Sequence, residues 1–204
     1  MEYRTLGGSG CAVSTLTLGT MTFGDETNEE CARAQLDHFV EAGGSLVDTA
    51  DVYSGGVSEE IIGRWLGKQS ATVRDQVVLA TKGRFPMGGG PNDAGLSRRH
   101  LTGALDASLE RLGVDRVDLY QAHAYDLWMP LEETLTFLDD AVHAGKINYV
   151  GLSNFTGWQL QRAADVAEFR RLSPPVTLQP QYNLPPRRPT GSGCCPGRRW
   201  GAAG

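Results

Sequence analysis

The sequence predicts an α/β fold with a parallel sheet, a (β/α)8 TIM barrel here incomplete at about six βα units behind an N-terminal β-hairpin. Three observations carry this. Short apolar runs alternate with helix-patterned segments, which calls for parallel strands because parallel neighbours need a crossover. The first strand leaves through Gly19-Thr20-Met21-Thr22-Phe23-Gly24, and two glycines five apart are not the G-x-G-x-x-G that a doubly wound nucleotide fold places there. Single polar residues also close successive strand candidates, as they do at the carboxyl face of a barrel.

Taken in order, Tyr3 to Leu6 and Cys11 to Ser14 flank Gly7-Gly8-Ser9-Gly10 and read as the hairpin, since glycine supplies the backbone angles of tight turns. The strand candidates are Leu16 to Leu18, Ser45 to Val47, Val77 to Ala80, Leu119 to Ala122, Tyr149 to Leu152 and Val176 to Leu178. Between them Asn28 to Ala42, Ser58 to Leu66, Ser97 to Leu112, Leu131 to Ala144 and Thr156 to Phe169 repeat apolar residues at three- and four-residue spacing. Ser58 and Thr156, each followed by Glu or Gln, suit helix N-caps.

Two domains of unequal character are expected, a partial barrel over residues 1–184 and a tail over residues 185–204. The tail holds no acidic residue and no Leu, Ile, Val, Met or Phe, so it cannot build a strand-helix unit. Such a composition fits a disordered segment, and its abrupt onset also fits a shifted reading frame. A parallel sheet ended at six strands leaves two edges and an uncovered apolar interior.

With 40% hydrophobic and 21% charged residues, the composition is that of a globular protein. A formal charge of -5 argues against nucleic acid as a partner, because binding a phosphate backbone needs a basic face. No stretch has the charge and apolar pattern of a leader or the length of a membrane span, so a cytoplasmic location without membrane association is expected. Cys11, Cys31, Cys194 and Cys195 show neither zinc spacing nor the density of a disulfide scaffold, and no metal site is expected.

Asp48 ends the second parallel strand with Tyr53 five residues on, Lys82 ends the third, and His123 ends the fourth. A phenol is a poor acid at neutral pH unless a cation favours its phenolate, and Lys82 is positioned to be that cation. Asp48 would hold the ammonium charged and in place, and a neutral His123 would donate to a substrate carbonyl oxygen beside Tyr53. The set fits carbonyl reduction, with a hydride delivered to carbon and a proton from the tyrosine. Tyr125, Trp128 and His100 are possible pocket-lining residues, with loop packing the simpler reading, and Trp65 and Trp158 are expected to pack on helices.

At these residues the sequence resembles the aldo-keto reductases. Asp48-Thr49-Ala50-Asp51-Val52-Tyr53-Ser54-Gly55-Gly56-Val57-Ser58-Glu59-Glu60 with Gly63 is similar to one family signature, and Arg111-Leu112-Gly113 with Asp118 to His123 to another. Gly151-Leu152-Ser153-Asn154-Phe155 resembles a third segment, and Gln179 ends the sixth strand. The resemblance implies a barrel of the NADP-dependent oxidoreductase type, with NADPH as cofactor and NADH possible, and an aldehyde or ketone as substrate. It implies Asp48, Tyr53, Lys82 and His123 as a catalytic tetrad. It also implies Gly19, Thr20, Met21, Asp48, Ser153, Asn154 and Gln179 as cofactor contacts. Two other readings go with it: a non-catalytic, cofactor-sensing subunit like the potassium-channel β subunits of the same branch, and an inactive truncated remnant. Oligomeric state is left open.

Overall fold

In the computed structural model residues 1–182 are described, so the expected boundary at 184 and the tail lie outside them. Strands β1 (Tyr3–Thr5) and β2 (Ala12–Ser14) pair antiparallel as the expected hairpin. A single parallel sheet follows with its strands in chain order: β3 (Thr17–Gly19), β4 (Leu46–Asp48), β5 (Val78–Gly83), β6 (Val117–Ala122), β7 (Ile147–Ser153) and β8 (Pro175–Gln179). The helices are α1 (Glu29–Glu41), α2 (Val57–Leu66), α3 (Ala71–Gln76), α4 (Arg98–Leu112), α5 (Leu131–His143) and α6 (Gly157–Arg170). The sheet curls into a partial barrel, with β3 and β8 as its edges among the described residues.

Period-two alternation sorts the strand residues onto two faces. Val47, Leu79, Tyr120, Val150 and Leu152 join Leu36, Ile61, Leu101, Leu135 and Leu138 of the helices in the larger core. The opposite, concave face carries Ala80 and Leu119, buried together with Leu6 and Val13 of the hairpin. The apolar interior is therefore not left open at its amino end. The hairpin floors it, which confines the polar residues of the concave face to the carboxyl end.

Two local expectations are corrected. Ser58 does not cap α2: Gly56, in the left-handed region with φ 98°, occupies that position, and Ser58 lies inside the first turn, wholly buried. Its hydroxyl instead donates to Thr20, which ties the exit of β3 to α2. The short α3 had no apolar periodicity to announce it, and is capped by the Ser70 hydroxyl on the Val73 amide. Thr156 does stand at the N-cap of α6 as expected, where the Gln159 side chain accepts from its backbone amide at 2.8 Å.

Candidate active site

The carboxyl ends of β4, β5 and β6 bring three of the four expected side chains inward, and the loop after β4 supplies the fourth. Lys82 is almost wholly buried, and its ammonium Nζ lies 2.7 Å from Asp48 Oδ2. The same Nζ donates to the Thr49 carbonyl oxygen at 2.8 Å and to the Tyr53 hydroxyl at 3.2 Å, and stands 4.9 Å from the centre of the Tyr53 ring. A buried ammonium needs its hydrogens satisfied and its charge matched, and these three partners do both. Asp48 is held in turn by Gln121 Nε2 at 3.1 Å and Gln179 Nε2 at 3.0 Å.

Tyr53 is placed by an unusual turn. It opens a 3-10 segment, Tyr53–Gly56, in which Ser54, Gly55 and Gly56 all have positive φ. Glycine takes that conformation freely, whereas Ser54 is strained by it. The Ser54 hydroxyl anchors the turn on the Phe23 carbonyl at 2.7 Å, so the loop that carries the phenol is braced against the exit of β3.

His123 meets Tyr53 edge-on, with ring centres 5.8 Å apart, and Phe85 on its other side at 4.7 Å. Burial and the nearby cations Lys82 and Arg84 push its pKa down to about 4. The ring is therefore neutral at physiological pH and can donate a hydrogen bond as an uncharged imidazole. Its Nδ1 has no partner among the described residues.

On the far side of the sheet, Ser153 Oγ donates to the Gln179 carbonyl at 3.1 Å, and Asn154 Nδ2 contacts both Ser153 Oγ and the His123 carbonyl. Thr20 is wholly buried and donates its hydroxyl to the Asp48 carbonyl. Gly19 is open, since a side-chain carbon built there would meet nothing within 4 Å, and Met21 is exposed beside it. The seven expected cofactor positions therefore lie at the ends of β3, β4, β7 and β8, around one mouth.

The outlying aromatic residues divide. Tyr125 packs edge-on against Phe155 and Trp158, and Trp65 is buried with its indole N–H on Asp37. Trp128 is 93% exposed, which rules out loop packing for it. His100 is buried on α4, where Ser97 caps its backbone amide.

Sequence reasoning missed Gln121, although β6 pairs it in register with Lys82 and a glutamine inside an apolar strand was a usable signal. It also missed a second polar cluster directly behind the site. Glu59, wholly buried, accepts from Thr81 at 2.5 Å and from Arg111 at 2.7 Å. Asp51 lies beside it with both carboxylate oxygens unpartnered.

With this geometry in view, the sequence pattern of the Aldo/keto reductase family matches residues 15–192. The chain belongs to the aldo/keto reductase family. Among curated relatives it is 42% identical over 192 residues to an uncharacterized oxidoreductase, YrpG, of Bacillus subtilis, covering 90% of this chain and 59% of that protein. A probable voltage-gated potassium channel subunit beta of Oryza sativa is 39% identical, covering 90% of this chain and 56% of its own length. The L-glyceraldehyde 3-phosphate reductase of Escherichia coli is 36% identical, with 90% and 54% covered. The chain thus spans little more than half the length of these relatives.

Proposed function

We propose that this aldo/keto reductase chain carries the proton-transfer half of an NAD(P)H-dependent reduction of an aldehyde or ketone to an alcohol. NADPH is the expected cofactor and NADH the alternative. The observation that carries the reading is the Lys82 ammonium, bonded at once to Asp48 and to the Tyr53 hydroxyl inside a buried site.

The residues at the mouth suit a nicotinamide. Ser153, Asn154 and Gln179 offer a hydroxyl and two amides to match its carboxamide, and the open backbone at Gly19 leaves room for a flat ring. When bound, the reduced cofactor supplies the hydride that adds to the carbonyl carbon. The chain's own residues do the rest. His123, neutral at working pH, donates to the substrate oxygen and orients it toward Tyr53. As negative charge grows on that oxygen, Tyr53 gives up its proton to it, and the Lys82 charge stabilises the phenolate left behind. Asp48 keeps Lys82 charged and fixed, and the two glutamines keep Asp48 fixed. Burial of the ion pair excludes water and strengthens each of these interactions.

Partners beyond a small carbonyl compound are not part of this reading, and a cytoplasmic site of action is. Among the described residues no helix is long and apolar enough to cross a membrane. Likeness to channel β subunits favours one second reading, a subunit that binds cofactor but serves as a scaffold. The test is titration of the full chain with NADPH by nicotinamide fluorescence, followed by addition of simple aldehydes and identification of the alcohol. Binding with alcohol formation supports the reductase, binding without it supports the scaffold, and no binding contradicts both.

A further inference from the structure

Arg84 enters the chemistry above only by helping to keep His123 neutral, yet its place is specific. It lies just past the carboxyl end of β5, two residues beyond Lys82, in the segment that leads to Phe85. Its guanidinium carbon stands 5.1 Å from the centre of the Phe85 ring, and that ring lies 4.7 Å from His123. The guanidinium is close enough to His123 to help depress its basicity. Among the described residues Arg84 forms no ion pair, and its Nε is buried without a hydrogen-bond partner. A fixed, half-buried guanidinium with an unmet donor is a receptor for a planar or tetrahedral oxyanion.

We propose that Arg84 is a specificity-determining residue that receives an anionic group, a carboxylate or phosphate, of the carbonyl substrate. This rests on the carbonyl-reducing reading of the site and adds the substrate class to it. The cofactor's phosphates share the same chemistry, but the fold separates the two sources. Arg84 follows β5, on the side of His123 where Phe85 stands, whereas the groups suited to a nicotinamide lie at the ends of β3, β7 and β8. Phe85 contacts both Arg84 and, edge-on, His123, so the anionic group should be a few bonds from the reacting carbonyl rather than adjacent to it.

The test compares succinic semialdehyde with butyraldehyde, which lacks the carboxylate, in the full chain, Arg84→Gln and Arg84→Lys at saturating NADPH. The wild-type chain should favour the charged aldehyde in kcat/KM by about tenfold or more, as one charge-assisted hydrogen bond allows. In Arg84→Gln the preference should fall to near one, with Arg84→Lys between. An unchanged ratio in Arg84→Gln, with turnover intact, overturns the inference and spares the reductase reading. A tenfold rise in the NADPH Kd of Arg84→Gln with an unchanged aldehyde ratio also overturns it and assigns the arginine to the cofactor. Binding is read without turnover from the rise in Tm on adding succinic semialdehyde. A rise lost in Arg84→Gln sustains the inference even if neither aldehyde is reduced, and no rise in a chain that turns neither over overturns it.

Discussion

Replacing Asp51 with Asn should change how stability depends on pH, because Asp51 is a carboxyl group buried without a hydrogen-bond partner for either oxygen. Burial, and then the neighbouring Glu59 charge, raise its pKa from 3.8 to about 7, against smaller opposing effects of the nearby Val52 backbone amide, which falls short of a well-formed hydrogen bond, and of Arg111 and Lys82. Tyr120 also faces it from β6, its own ionisation suppressed by burial. The native state therefore binds a proton between those values that the unfolded chain releases. Asp51's contribution to stability is complete below the unfolded pKa and is lost as pH rises through about 7. At about 1.4 kcal/mol per unit, the loss is on the order of 4 kcal/mol. His123 acts the other way. Its pKa drops from 6.5 to about 4 on folding, so its contribution is complete above the unfolded value and is lost as pH falls toward 4. Over pH 4 to 6.5 the two slopes oppose each other, and wild-type stability should be nearly flat before declining toward pH 7 to 8. Asp51→Asn removes one slope, so the variant should gain stability from pH 4 to 6.5 and hold it above. Urea unfolding followed by circular dichroism at half-unit pH steps measures this directly. Parallel wild-type and variant curves would refute the reasoning, since they would mean that Asp51 titrates alike in the folded and unfolded chains.

Three further outcomes are expected. Lys82→Met should lower stability by about 3 kcal/mol, as removing one partner of a buried pair leaves an uncompensated charge; the two glutamines on Asp48 should soften the loss, and thermal unfolding reads it. Gly63→Ala should cost about 1–3 kcal/mol by the same measurement, because a side-chain carbon there would sit 2.2 Å from the Arg111 carbonyl oxygen, a rigid backbone atom. If the chain reduces carbonyls, the pH profile of kcat/KM should show no inflection near 6.5 from His123, whose depressed pKa keeps it neutral down to about 4; an imidazole limb near 6.5 would count against that environment.

Much of this architecture is legible in the chain because its strands are short apolar runs set between periodic helices, and each strand end carries one conspicuous polar residue. Asp48, Lys82 and His123 stand out in that way, and alternation along the strands places them correctly. Less legible are residues whose meaning depends on what packs against them. Nothing in the local pattern links Glu59 with Arg111, which meet as an ion pair only because α2 packs on α4. Ser58 reads as a cap because its sequence context is that of one, yet two left-handed glycines start the helix earlier and turn its hydroxyl toward Thr20. The hairpin's role as a floor to the concave face required the spatial position of Leu6 and Val13, which no local pattern encodes.

The central claim is that Tyr53 is the proton donor of a site assembled by Asp48, Lys82 and His123. It is tested most directly by comparing wild type and Tyr53→Phe in NADPH-dependent reduction of one aldehyde, with folding of both verified by circular dichroism. A loss in kcat of about 10²- to 10⁴-fold, with the fold and the NADPH Kd preserved, is the result the account predicts; a folded Tyr53→Phe variant that reduces the aldehyde at the wild-type rate would contradict it.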